Sequence, residues 1–166
     1  MYSKYLVMID VDTSLPSRKS MVEIAWGEDV PISFVQDNEV FNEASYLDFK
    51  VNKWEVNQKW SEMQDEEPWI RLEIIRDIQI KDYVSENKLT FSFDYKRYYL
   101  VALELDDGWQ EIDQALLARV VVSLAKNKKV YAFDDNEGYI DCTDTLSSLP
   151  SKKTVRKSIF LDKEEP

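Results

Sequence analysis

Three aspartate pairs stand out by type and spacing: Asp10 with Asp12, Asp106 with Asp107, and Asp134 with Asp135, each closing an apolar run. Carboxylates held together could coordinate Mg²⁺ or Ca²⁺, and their mutual repulsion would raise a pKa into the range useful for acid/base work. In an open sheet, parallel strands release their carboxyl ends at one edge, so three such pairs there would build a cation site. Asp also has a purely local use at strand ends, where its side chain accepts hydrogen bonds from free backbone amides in turns and caps. On that second use the acids are a solvated surface, open to a partner.

The first pair lies in Asp10-Val11-Asp12-Thr13-Ser14, which partly resembles the nucleophile motif of the haloacid-dehalogenase-like phosphatases, a strand ending in Asp-x-Asp-x-Thr. The resemblance implies Asp10 as nucleophile, Asp12 as acid/base and Asp134 or Asp135 as a Mg²⁺ ligand. It spans about ten residues; Ser14 stands where Thr or Val is usual, and no lysine motif can be placed. A second acidic loop, 133–144, is similar to a calcium EF-hand around Gly138. Counting back from that glycine puts Phe133 where the first aspartate ligand is required, which excludes it.

The chain contains no histidine. That removes Ser-His-Asp and Cys-His nucleophile pairs, histidine zinc sites and any side chain titrating near neutrality at its unperturbed pKa. Glycines are three and scattered, Gly27, Gly108 and Gly138, so neither a P-loop nor a dinucleotide-binding loop is present. Cys142 has no His partner and no partner cysteine, and reads as a buried neutral thiol. No catalytic residue, metal ligand or cofactor is assigned on these grounds.

Composition limits the partners. With 32 Asp+Glu against 21 Lys+Arg the net charge is -11, and residues 151–166 carry five Lys/Arg against three Asp/Glu, so the remainder is more acidic than the whole. Hydrophobic residues at 44% and aromatics at 13% are incompatible with an acidic disordered chain, which places the charge on a folded surface. Net negative charge opposes adsorption to nucleic acid or anionic lipid, and neither is expected as a partner. Met1–Asp12 does not read as a signal peptide, and a cytoplasmic protein is expected.

The elements that must position these acids follow from periodicity. A continuous apolar run over 5–11 predicts a strand covered on both faces; 17–26 predicts a short helix closed by Gly27, with Met21, Ile24 and Ala25 inward. A strand follows at 30–35, then an exposed strand or irregular edge at 40–51 and a long connection carrying Trp54, Trp60 and Trp69. Residues 70–80 fit strand and helix equally. An antiparallel hairpin is expected over 88–105, and the strongest helix over 109–126, with Asp107 and Gln110 as a capping box. A strand at 130–133 turns through 134–138 into another, and 154–161 suggests a late edge strand. Similar runs at 5–12 and 99–106, each followed by a helix and a strand, would give two β-α-β units with parallel crossovers if they reflect a repeat.

The expected fold is therefore α+β: one domain over 1–166, a mixed, mostly antiparallel sheet, the long helix and a shorter one on one face, and a more polar extension at 142–166. The expected function is an acidic module that binds and neutralises a basic protein partner, such as a bacterial immunity or inhibitor protein bound to a toxin domain. Its contact residues would be Asp10, Asp12, Trp54, Trp60, Asp106, Asp107, Asp134 and Asp135, with the two tryptophans partly exposed. The alternative is a divalent-metal enzyme of phosphatase or nuclease type built on the strand-end acids.

Overall fold

Apolar residues alternate along most strands, and this fixes the side of the sheet on which each side chain lies. The computed structural model describes residues 1–90 and 94–160, with the backbone alone at 63–66. Seven strands, β1 (Lys4–Asp10), β2 (Ile32–Gln36), β3 (Tyr46–Val51), β4 (Ile70–Ile75), β5 (Tyr98–Leu105), β6 (Lys129–Asp134) and β7 (Gly138–Asp141), form one sheet in the order β2-β3-β4-β5-β1-β6-β7. Every neighbouring pair is antiparallel. The helices are α1 (Arg18–Trp26), α2 (Lys53–Val56), α3 (Gln79–Glu86), α4 (Glu111–Leu124) and α5 (Lys152–Phe160). This is a single-domain α+β fold, as composition and periodicity predict.

One face of the sheet carries the main core. Tyr5, Val7 and Ile9 of β1, Leu72 and Ile74 of β4, and Val101 and Leu103 of β5 pack there under α1, α4 and α5. Leu116, Leu117, Val120, Val121 and Leu124 give α4 its buried stripe, each worth roughly 1.5–3 kcal/mol on burial. Trp26 of α1 is fully buried beside Phe49, and its indole N–H donates to the Leu116 carbonyl at 3.0 Å, which ties α1 to α4.

The opposite face is only partly covered. α3 lays Ile80 over Leu6, Ile75, Leu100, Ala102 and Tyr131, so β1 is enclosed on both sides as its unbroken apolar run requires. The long helix α4 and the shorter α1 share one face as expected, and α3 is a further helix on the other. No helix among the described residues is long and apolar enough to cross a membrane.

Several local expectations change, each for a physical reason. In α1, Ile24 points to solvent while Met21, Val22, Ala25 and Trp26 turn inward, because the large indole takes the core position. Residues 46–51 form an interior strand, not an exposed edge: Leu47, Phe49 and Val51 alternate perfectly and are buried. The ambiguous stretch 70–80 is both elements in turn, a strand to Ile75 and then, past Asp77 at φ 54°, the start of α3.

β5 is paired by β4 on one side and β1 on the other, and the expected hairpin over 88–105 is only partly within the described residues. Phe91, Ser92 and Phe93 of that hairpin lie outside the described residues. The capping box at α4 is Gln110 with Asp113, one turn later than Asp107 with Gln110. Residues 152–160 are helical, not an edge strand: Ser151 caps the Thr154 amide, and Val155 and Ile159, one turn apart, join the core. Residues 142–160 are thus part of the packed body, with Cys142 buried too.

Candidate acidic interface

Strand direction sorts the six candidate aspartates into two groups. β5 and β6 both run antiparallel to β1, which lies between them, so they point the same way and end at the same edge. That edge holds Asp106 and Asp107 after β5, and Asp134 and Asp135 at the end of β6. Two strand spacings separate the pairs, about 10 Å. Asp10 and Asp12, at the end of β1, lie at the opposite edge. The repeat therefore gives strands of like direction but no parallel pairing, and the three pairs do not converge; this corrects the single cation site they would have built. Among the described residues no three His, Cys, Asp or Glu side chains are grouped to hold a metal ion.

The loops at the two edges differ in charge, and Lys4 at the start of β1 is the cation between the two acidic loops, engaged with the rings of Phe133 and Tyr139. Around Asp10 and Asp12 the chain brings up cations: the Val11 amide donates to the Arg97 carbonyl at 2.9 Å, and the Lys128 ammonium reaches the Thr13 hydroxyl at 3.3 Å. Asp10 itself accepts the Asp12 amide at 3.0 Å, a turn-capping use of the carboxylate. At the other edge, the loops 106–110 and 134–138 contain no Lys or Arg and add Glu137. Asp134 caps its turn by accepting the Asn136 and Glu137 amides at 2.9 and 3.1 Å. Asp106, Asp107 and Asp135 are exposed and form no ion pair among the described residues.

Trp109 stands beside this acidic loop with 42% of its surface exposed. It combines a large apolar ring with flanking carboxylates, and tryptophan is among the residue types enriched in interface hot spots. Trp54 and Trp60, expected as contacts, are both half-buried. Trp60 serves the fold: its indole N–H donates to the Ile159 carbonyl at 2.7 Å, holding the 3-10 segment Gln58–Glu66 to α5. Trp54 lies on α2, which follows β3; β3 and β5 run in the same direction, so α2 sits at the acidic edge.

Beneath that edge lies a charged group not anticipated from sequence. Lys53 is 1% exposed and places its ammonium 2.9 Å from Asp113 and 4.0 Å from Glu67. One Glu67 oxygen also accepts the Lys53 amide at 2.9 Å, while the other has no hydrogen-bond partner among the described residues. Burial pushes the Glu67 carboxyl above its ordinary range, against the downward pull of Lys53. Asp113 in turn accepts the Gln110 amide at 2.8 Å, which pins the end of the acidic loop to the start of α4. A lysine in the sequence "NKW" carries no sign of burial, since only tertiary packing supplies its two acids.

No protein-family profile, no curated protein and no solved structure matches this chain.

Proposed function

We propose that this protein is an acidic interaction module that binds and neutralises a basic protein partner, as an immunity or inhibitor protein of a bacterial toxin domain would. One observation carries the reading: Asp106, Asp107, Asp134 and Asp135 share a sheet edge whose two loops contain no cation, beside the exposed ring of Trp109. Uncompensated carboxylates raise the local concentration of a basic partner and speed encounter, and an aromatic anchor supplies the short-range affinity. The lock at Lys53 and Asp113 supports the reading, since a loop held rigid before binding loses less entropy on contact.

The test is association kinetics. A tagged copy is used to recover a basic partner, and on-rates are measured by stopped flow between about 20 and 200 mM salt. The expected on-rate falls steeply with salt and drops at least about tenfold at low salt in the quadruple variant Asp106→Asn, Asp107→Asn, Asp134→Asn, Asp135→Asn. An on-rate indifferent to salt removes the electrostatic basis. A Mg²⁺-induced rise in melting temperature that vanishes in Asp10→Asn/Asp12→Asn would instead promote the metal-dependent enzyme.

A further inference from the structure

On the sheet face opposite the main core, α3 packs over β1, β5 and Ile75 at the end of β4 but leaves β3 and the rest of β4 open. A groove runs between them. Its wider part, about 360 Å³, is bounded by Tyr46, Glu73, Asp82, Tyr83 and Glu86. A narrower part of about 170 Å³ continues past Tyr83 and Glu73 to Glu104. Glu104 is two residues before Asp106, so the groove opens onto the acidic edge.

We propose that this groove receives arginine side chains from an extended segment of the basic partner. The inference rests on the acidic-module reading for the sign of the partner's charge; the chemistry of the groove then selects arginine.

Charge is the first argument. Four carboxylates, Glu73, Asp82, Glu86 and Glu104, face two cations, and both cations are already engaged. Arg71 contacts Glu73 at 3.2 Å and Asp48 at 3.6 Å, and Lys4 sits over the rings of Phe133 and Tyr139 at 5.3 and 5.9 Å. Asp82 and Glu86, one turn apart on the exposed side of α3, and Glu104 form no ion pair among the described residues. A second copy of this chain would bring like charge against the same walls.

Ring geometry is the second. Tyr83 is fixed as a wall because its hydroxyl meets that of Tyr139 at 3.3 Å, and Tyr46 faces it across the groove. The surface already stacks guanidinium groups on such rings, Arg71 on Tyr46 at 5.0 Å and Arg18 on Phe34 at 3.4 Å. A planar guanidinium can stack on a tyrosine while forking to a carboxylate; an ammonium cannot do both. The backbone adds a constraint. β4 and β5 are paired on both sides, so the occupant cannot bind by adding a strand there and must be held through its side chains.

The experiment titrates labelled hexa-arginine and hexalysine peptides, equal in charge, into the full chain at low ionic strength. Wild type is expected to prefer hexa-arginine by about fivefold or more. The variant Asp82→Asn/Glu86→Gln should bind hexa-arginine about tenfold more weakly and lose the preference. The quadruple edge variant should weaken both peptides by one factor and keep the preference. Amide shifts on adding hexa-arginine should map to Glu73, Tyr83 and Glu86. Equal binding of the two peptides, no binding of either, or a preference that survives in Asp82→Asn/Glu86→Gln would overturn the groove. Self-association with shifts at the same amides would assign it to a second copy and overturn it as well. A retained preference with the edge variant unaffected would overturn the edge reading and leave the groove standing.

Discussion

The Lys53 ammonium lies 2.9 Å from the Asp113 carboxylate, with both side chains withdrawn from solvent and sixty residues apart in sequence. The pair joins the connection after β3 to the first turn of α4. Removing the cation leaves Asp113 and Glu67 buried without it. Lys53→Met should therefore cost about 3–5 kcal/mol, read as the shift in urea midpoint multiplied by the slope. A loss under about 1 kcal/mol would mean that water reaches the acids and the lock is not dry.

Glu67 gives the stability curve a sign. Its folded pKa is raised above the ordinary value of 4.5, first by burial, so folding favours the protonated form. That contribution is fully present below the unfolded pKa and fades as pH rises through the folded one. Glu67→Gln abolishes this titration. The melting temperature of the variant, measured against wild type, should rise from about pH 4 to about pH 7. A difference that is flat with pH, or falls, would refute the assignment.

These buried charges also mark the limit of what the sequence discloses. Strands at β1, β5 and β6 and the helix α4 are legible because their apolar periods are long and unbroken, as in Leu116, Val120 and Leu124. The acids at the strand ends are visible as well. Which edge each occupies depends on strand order, and insertion of β1 between β5 and β6 leaves no local trace. Lys53 and Glu67 sit in "NKW" and "EEPW", where neighbouring charges imply a solvated loop. β3 was obscured for a related reason, since Asp48 and Lys50 on its open face interrupt the run formed by Leu47, Phe49 and Val51.

Gly27 holds a conformation that other residues avoid. Its φ is 105°, and a Cβ there would run into the guanidinium of Arg156, which donates to the Trp26 carbonyl at 2.7 Å and forks onto Asp29 at 2.5 and 2.9 Å. Gly27→Ala should lose about 1–3 kcal/mol from backbone strain alone, with a further loss as Arg156 is displaced. An unchanged thermal midpoint would show that the end of α1 relaxes freely.

Cys142 is buried, and burial first, with Asp141 beside it, pushes the thiol up to about 11. At about pH 8 it should react with a disulfide reagent many times more slowly in the native protein than in denaturant, since both thiolate fraction and access are low. Equal rates would place the sulfur at the surface.

An interior strand of the sheet, β1, is also its first in chain order. Lys4 pairs with Glu104 and Tyr5 with Ala132, so β1 meets its first neighbour only after about a hundred further residues have been added. At roughly 5–20 residues per second, that is a wait of about 5–20 seconds for an apolar strand with both edges unsatisfied. The α1 and β2–β3 segments that emerge meanwhile offer it no partner. Synthesis in chain order therefore contains an interval in which this apolar strand has neither edge paired, and the interval ends only when β5 arrives.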